Sequence, residues 1–395
     1  MERSALAVLL TPEGLRLVDG VGEVGSTADV AGLVTRLRRD GHSPDLVSAV
    51  ISQARLRTRA VAKFGPFAQR MLFTRAGLEQ ATRLEVAALH AARFRDAGLA
   101  RVADLGCGIG GDAMAFAGIG LEVTAVDADE VTAAVAAYNL APFGDTVRVR
   151  HDTAEGTDLG DRDAVWLDPA RRAAGHDGTT RLRPEDWSPP LTWAFPLLAR
   201  LPGGMKLGPA FGRDEVPEGF EAQWVSVDGS TVELVLWSGV LARPGVTRAA
   251  LVMRDGVRHE RTAVGDAVDA EVRELGAFVH EPAGSVIRAH LIGDVARELD
   301  AGMLAERVAY LTGDAALTSP FVQSFRVRER LPADVARLSK ALRERGIGTL
   351  EIKKRGVDID PAALRPRLRL RGDAHATLIL TRIDGARVAI LADRV

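Results

Sequence analysis

The chain has 395 residues, 47% apolar and 26% charged, with a net charge of −2 at pH 7. At roughly 100–200 residues per domain, that length predicts two or three soluble domains, and the small net charge singles out no partner. A single cysteine, Cys107, excludes an internal disulfide and a cysteine-rich zinc site, and the eight histidines lack metal-ligand spacing, so no metal is expected.

The first residues, "MERSALAVLLTPEG", hold a short apolar run broken by Pro12. It is too short to span a bilayer and lacks a signal-peptide cleavage pattern, which predicts a cytoplasmic protein without membrane attachment. Residues 1–75 read as a helical segment. "STADVAGLVTRLRRDG" has a capping start and a glycine stop, and the next helix has Ser43 as N-cap and Pro44 at its first position. "RAGLEQATRLEVAALHAARFRDAG" predicts a third helix ending at Gly98.

From residue 101, short strand-like runs alternate with helical ones: "RVADL", "EVTAVD", "TVRVRH" and "DAVWLD". That alternation predicts a parallel sheet with crossover helices. "MKLGPA" adds a fifth strand, and "EAQWVSVDGSTVELVLWSG" predicts a hairpin turning at Asp228-Gly229. Residues 76–243 are therefore assigned to an α/β core. After a linker near 241–247, residues 244–395 read as an α+β domain. It opens on the hairpin "TRAALVMRDGVRHERTA" and closes on another around Asp384-Gly385. Helical runs are expected at 284–299, 301–310 and "ADVARLSKALRERG", with a strand at "GTLEIKKRG".

The stretch "VADLGCGIGGDAMAFA" carries the chemistry. Gly106, Gly108 and Gly111 satisfy the dinucleotide fingerprint, but the loop also reads Asp104-x-Gly106-x-Gly108-x-Gly110. Glycines let the backbone turn sharply and approach a ligand, and the next helix offers its N-terminus. Asp104 separates the alternatives: a carboxylate there repels a pyrophosphate and suits an ammonium group. Asp127 closes the second strand, where a carboxylate can accept both ribose hydroxyls. Asp152 follows the third strand. Asp168-Pro169 closes the fourth, at the end of the sheet where ligands bind. Trp166 shares a strand face with Asp168 and reads as core or as a stacking surface. Arg171 and Arg172 read as phosphate contacts or as solvated surface. Cys107 reads as a small apolar loop residue.

These four acidic strand ends resemble those of class I S-adenosylmethionine (SAM) methyltransferases. "MLFTRAGLEQATR" leading into "VADLGCGIGGDAMAFA" is similar to trimethylguanosine synthase-like RNA methyltransferases. "YLTGD", "SPFVQSFRV", "GTLEIKKRGVDIDPAALRPRL" and "ATLILTR" resemble bacterial methyltransferases with a C-terminal THUMP-like domain. The resemblance implies a Rossmann-like seven-stranded core, SAM as cofactor and methylation of RNA, which THUMP domains in better understood relatives present to an attached enzyme. It implies that Phe73-Thr74 closes over the cofactor. Asp104, Gly106, Gly108, Gly110, Asp127 and Asp152 would hold it, with Asp152 beside the adenine. Asp168 and Pro169 would position the acceptor. Motif four departs from the amino-methylating pattern: Asp168-Pro169-Ala170-Arg171 lacks a second proline and an aromatic residue.

Residues 321–372 hold 14 Lys/Arg against 6 Asp/Glu, with Lys353-Lys354-Arg355 the densest cluster. If "RPRLRLRG" is a strand, Arg365, Arg367, Arg369 and Arg371 line one face, as a phosphate-binding surface would. The alternatives are a non-catalytic RNA-binding protein on a SAM fold and an NAD(P)-dependent oxidoreductase, which leaves Asp104 without a role.

Overall fold

The computed structural model describes residues 1–171 and 184–395. The chain divides into two compact units, Met1–Leu207 with Leu236–Arg243, and Gly208–Val235 with Pro244–Val395. The N-terminal helices thus share a unit with the sheet that follows them, and residues 208–235 group with the second unit.

Unit one begins with α1 (Arg3–Leu9), α2 (Pro12–Gly20), α3 (Thr27–Arg39) and α4 (Pro44–Phe64). Ser26 and Asp29 form a capping box on α3, and the Ser43 hydroxyl accepts from Leu46 N–H at the start of α4. The expected third helix is two: α5 (Arg75–Gln80) and α6 (Leu84–Asp96). The break has a physical cause. Lys63 donates to the carbonyls of Leu78, Glu79 and Ala81, so the end of α5 is capped by a side chain instead of a further turn.

Four parallel strands follow: β1 (Arg101–Leu105), β2 (Glu122–Asp127), β3 (Val147–His151) and β4 (Ala164–Leu167). They alternate with α7 (Gly111–Gly118) and α8 (Glu130–Leu140). After α9 (Leu191–Arg200) comes β5 (Gly203–Leu207), parallel to β4. The order within this unit is β3-β2-β1-β4-β5, with the end of a later strand beyond β5.

Unit two contains β6 (Glu221–Val227), most of β7 (Ser230–Ser238), β8 (Arg248–Arg254) and β9 (Val257–Ala263), in the order β9-β8-β6-β7. Leu236–Ser238 of β7 belong to unit one. Both hairpins turn on Asp-Gly pairs with positive φ, Asp228-Gly229 and Asp255-Gly256.

Then come β10 (Phe278–Pro282), α10 (Gly284–Arg288), α11 (Ile292–Glu298), β11 (Gly302–Ala305), β12 (Val308–Gly313) and β13 (Val322–Leu331). The chain ends with α12 (Val335–Glu344), β14 (Ile347–Lys354), α13 (Pro361–Leu368), β15 (Ala374–Ile383) and β16 (Ala386–Arg394). These strands form a sheet in the order β11-β12-β10-β13-β16-β15-β14.

Two expectations are corrected here. Residues 301–310 are not helical but start a hairpin, because Asp300 and Arg307 take positive φ and set its corners. "RPRLRLRG" is not a strand. Asp360 caps α13, Pro361 opens it, Leu364 and Leu368 are buried one turn apart, and Arg369 ends it in the left-handed region.

Candidate active site

The carboxyl ends of β1, β2 and β4 bring Asp104, the glycine loop, Asp127 and Asp168 together. Asp104 opposes Ala125 and Trp166 on the strands either side of it. It is 1% exposed, and neither carboxylate oxygen has a hydrogen-bond partner among the described residues. Burial pushes its carboxyl well above the usual range, the Asp112 and Asp168 charges add to that, and Lys206 opposes it. A buried carboxylate without a donor is unfavourable unless a ligand supplies one.

The loop's backbone is shaped for close approach. Gly106, Gly108 and Gly110 all have positive φ. A Cβ on Gly106 would lie 2.9 Å from the Asp168 carbonyl oxygen. The Gly106 and Cys107 N–H groups donate to Val126 O, which ties the turn to β2. Asp127 accepts from Gly108 N–H at 3.0 Å and from Asp129 N–H at 2.9 Å. It does not cap α8; Asp129 does. Burial raises the Asp127 carboxyl against those two hydrogen bonds. Cys107 is buried, and burial followed by the Asp104 charge pushes its thiol well above the ordinary value, which disfavours the thiolate. Asp152 is exposed at the end of β3, and its backbone N–H donates to Asp127 O.

Phe73 and Thr74 border the loop. The Phe73 ring is fully buried, 5.7 Å from that of Phe64. Its backbone N–H and carbonyl are both bonded to the Gln53 amide. Thr74 caps α5 by accepting from Gly77 N–H. Asn139 joins this segment to the loop: it accepts from Leu72 N–H and donates to the Leu72 and Ile109 carbonyls.

Asp168 is half-buried, and its N–H donates to Leu105 O. Its carboxylate lies 2.5 Å from Lys206 Nζ. Pro169 is buried. Trp166 is fully buried among His90, Phe94, Phe116 and Trp237, so it is core and not a stacking surface. Arg172 and the Arg171 side chain lie outside the described residues.

Lys206, Thr82, Asp112 and His90 were not evident as site residues. Burial opposes ionisation of Asp112, but the His90 hydrogen bond, the Lys206 charge and the Thr82 hydroxyl outweigh it and hold its carboxyl below the ordinary value. The signals present in sequence are a lysine inside the apolar strand "GGMKL" and an acid in the first turn of a buried helix.

In unit two, Lys353 lies 3.0 Å and Arg355 3.4 Å from the Glu281 carboxylate, while Lys354 is exposed. Two of the three cluster cations are thus neutralised within the sheet. Arg365, Arg367, Arg369 and Arg371 are exposed and make no ion pair among the described residues. They sit on or just beyond α13, which is joined to α12 by the Ser339 hydroxyl donating to Leu368 O.

The chain is 36% identical over 367 residues to an uncharacterised S-adenosylmethionine-dependent methyltransferase of Mycobacterium tuberculosis strain H37Rv. The match covers 90% of this chain and 97% of the relative. The counterpart in strain CDC 1551 matches equally. A crystal structure from Porphyromonas gingivalis W83, of a protein provisionally named a methyltransferase, superposes with a TM-score of 0.72 at 21% identity. It covers all of this chain and 98% of its own. A family model described as THUMP domain-like matches residues 322–394, and a domain of unknown function, DUF8688, matches residues 2–60. Among the described residues, no helix is long and apolar enough to cross a membrane.

Proposed function

The chain belongs to the S-adenosylmethionine-dependent methyltransferases, and from that premise we propose that its acceptor is RNA. We further propose that Asp168-Pro169 positions the acceptor and that the ends of β1 and β2 hold the cofactor.

The residues present fit SAM. The unpartnered Asp104 carboxylate suits the ammonium of the methionine moiety, and the positive-φ turn at Gly106, Gly108 and Gly110 leaves room for close backbone approach. Asp127, already oriented by two backbone N–H groups, retains lone pairs for ribose hydroxyls. Asp152 follows on the next strand and would border the adenine. When bound, SAM supplies a methyl group already activated on a sulfonium, so alignment of the acceptor matters more than acid–base chemistry. The buried Pro169 stiffens the chain behind Asp168. The family membership leaves the dinucleotide reading without support.

The observation that carries the RNA reading is the set of exposed arginines Arg365, Arg367, Arg369 and Arg371 within the THUMP-like segment, none of them in an ion pair among the described residues. Unpaired guanidinium groups on one helix and its end suit a phosphate backbone better than an apolar or cationic partner. Few aromatics accompany them, so phosphate contact and shape would supply the grip. Lys354 is also exposed, whereas Lys353 and Arg355 are held by Glu281. A cytoplasmic location goes with this reading.

The test is transfer of radiolabelled methyl from SAM into RNA, DNA and protein from cells lacking this protein. Label enters RNA with the wild type and is lost with Asp168→Ala. Label in protein or DNA alone overturns the RNA reading. SAM binding with no label anywhere favours the non-catalytic alternative.

A further inference from the structure

Lys206 Nζ links two groups at the site. It lies 2.5 Å from Asp168 Oδ2 and donates to Thr82 Oγ1 at 2.9 Å. Thr82 in turn donates to Asp112 Oδ2 at 2.8 Å, and His90 Nδ1 lies 3.3 Å from Asp112 Oδ1. The side chains come from the end of β4, from β5, from the break between α5 and α6, from the first turn of α7, and from α6. They form one chain running inward from Asp168. Lys206 is 9% exposed, and Thr82, Asp112 and His90 are buried. Among the described residues, charged groups that also act in this cluster include Asp104 from β1, Asp127 from β2, and Lys63 from α4 with its neighbours Arg83 and Glu79.

An ammonium this close changes what a carboxylate can do. It favours the ionised form and so lowers the carboxylate's affinity for a proton. Such a carboxylate is a poor base and a good hydrogen-bond acceptor. Fixing a group's position in this way matters most where the reaction depends on alignment.

We propose that Lys206 is a positioning residue: anchored by Thr82 and Asp112, its ammonium holds Asp168 ionised and in place, so that Asp168 orients the methyl acceptor by hydrogen bonding instead of removing its proton. Any proton the acceptor sheds passes to water. This rests on the reading of Asp168 as the acceptor-facing group.

The experiment uses full-length wild type, Lys206→Met, Lys206→Arg and Thr82→Val. The titration of Asp168 is followed by carbon-13 NMR of labelled aspartate carboxyls, with Asp168→Asn identifying the resonance. SAM affinity is measured by calorimetry, and methyl transfer into RNA from cells lacking the protein gives kcat and KM. With Lys206→Met, the Asp168 midpoint rises by about one pH unit or more, a tenfold gain in proton affinity. The SAM dissociation constant stays within about threefold, and kcat falls roughly a hundredfold. Lys206→Arg restores most of the rate. Thr82→Val keeps the ammonium and removes its anchor, so it gives a smaller shift in the same direction. It decides the matter if Lys206→Met does not fold. An Asp168 midpoint unmoved in folded, SAM-binding variants overturns the proposal. A wild type that labels no RNA sinks the acceptor reading while the NMR titration still decides the role of Lys206.

Discussion

Asp104 is where stability and binding conflict. Its folded carboxyl is held well above the unfolded value by burial and by the charges of Asp112 and Asp168. The stability it contributes is therefore full below the unfolded value and is lost as pH rises through the raised one. A cationic ligand group binds the ionised form, so SAM binding expels a proton and affinity climbs with pH across the same interval. Asp104→Asn should weaken SAM binding roughly 10- to 100-fold, the worth of a hydrogen bond to a charged group. It should also abolish that climb and raise the melting temperature of the ligand-free protein. Calorimetry at pH 6 and pH 8, in buffers of different ionisation enthalpy, together with thermal unfolding, checks all three; a variant less stable than wild type would contradict the account. Asp104, Gly106, Gly108, Gly110, Asp127 and Asp168 were legible because each sits at a fixed offset from a strand end. The Lys206, Thr82 and Asp112 chain was not. Thr82 and Lys206 lie 124 positions apart, and no local pattern relates a helix break to a strand.

The break between α5 and α6 shows why helical periodicity misleads at this scale. Residues 75–98 carry a nearly continuous helical pattern, yet Lys63 satisfies the end of α5 from outside. The break puts Thr82 within reach of both Asp112 and Lys206. A similar override acts in α13, where alternating basic and apolar residues look like a strand but Asp360 and Pro361 start a helix. α5 also packs closely on the glycine loop: a Cβ on Gly77 would lie 2.4 Å from Ile109 Cγ2 and 2.7 Å from Thr74 Oγ1. Ile109 is buried and β-branched, so it yields poorly. Gly77→Ala should destabilise the protein by about 1–3 kcal/mol and weaken SAM binding through the displaced loop. Denaturant unfolding with and without SAM measures both; an unchanged midpoint would show that the loop accommodates the methyl group.

For the whole molecule, the alternation of strands and helices was legible because each crossover repeats the same pattern, and the Asp-Gly hairpins because two positive-φ residues favour that pair. The grouping of residues 208–235 with the second unit was not, since it depends on packing that composition does not encode. A near-neutral total charge likewise hides a local surplus. Converting Arg365, Arg367 and Arg369 to alanine should weaken RNA binding and flatten the dependence of log affinity on log salt by about 2, if each meets one phosphate of a single strand. Binding curves from 50 to 200 mM salt read that slope; an unchanged slope would make these arginines merely solvated. The lacing of residues 71–74 bears on how the chain is made. Gln53 and Arg57 fasten that segment to α4 from one side, and Asn139 fastens it to the loop from the other. In chain order the Gln53 and Arg57 partners precede the segment and Asn139 follows it by 67 positions, so the seam can be completed only once α8 has been synthesised. A chain shortened to begin at β1 would keep the loop's bonds to β2 and to Asn139 but lose the Leu72 partners of Asn139 and the packing of α5 on Ile109.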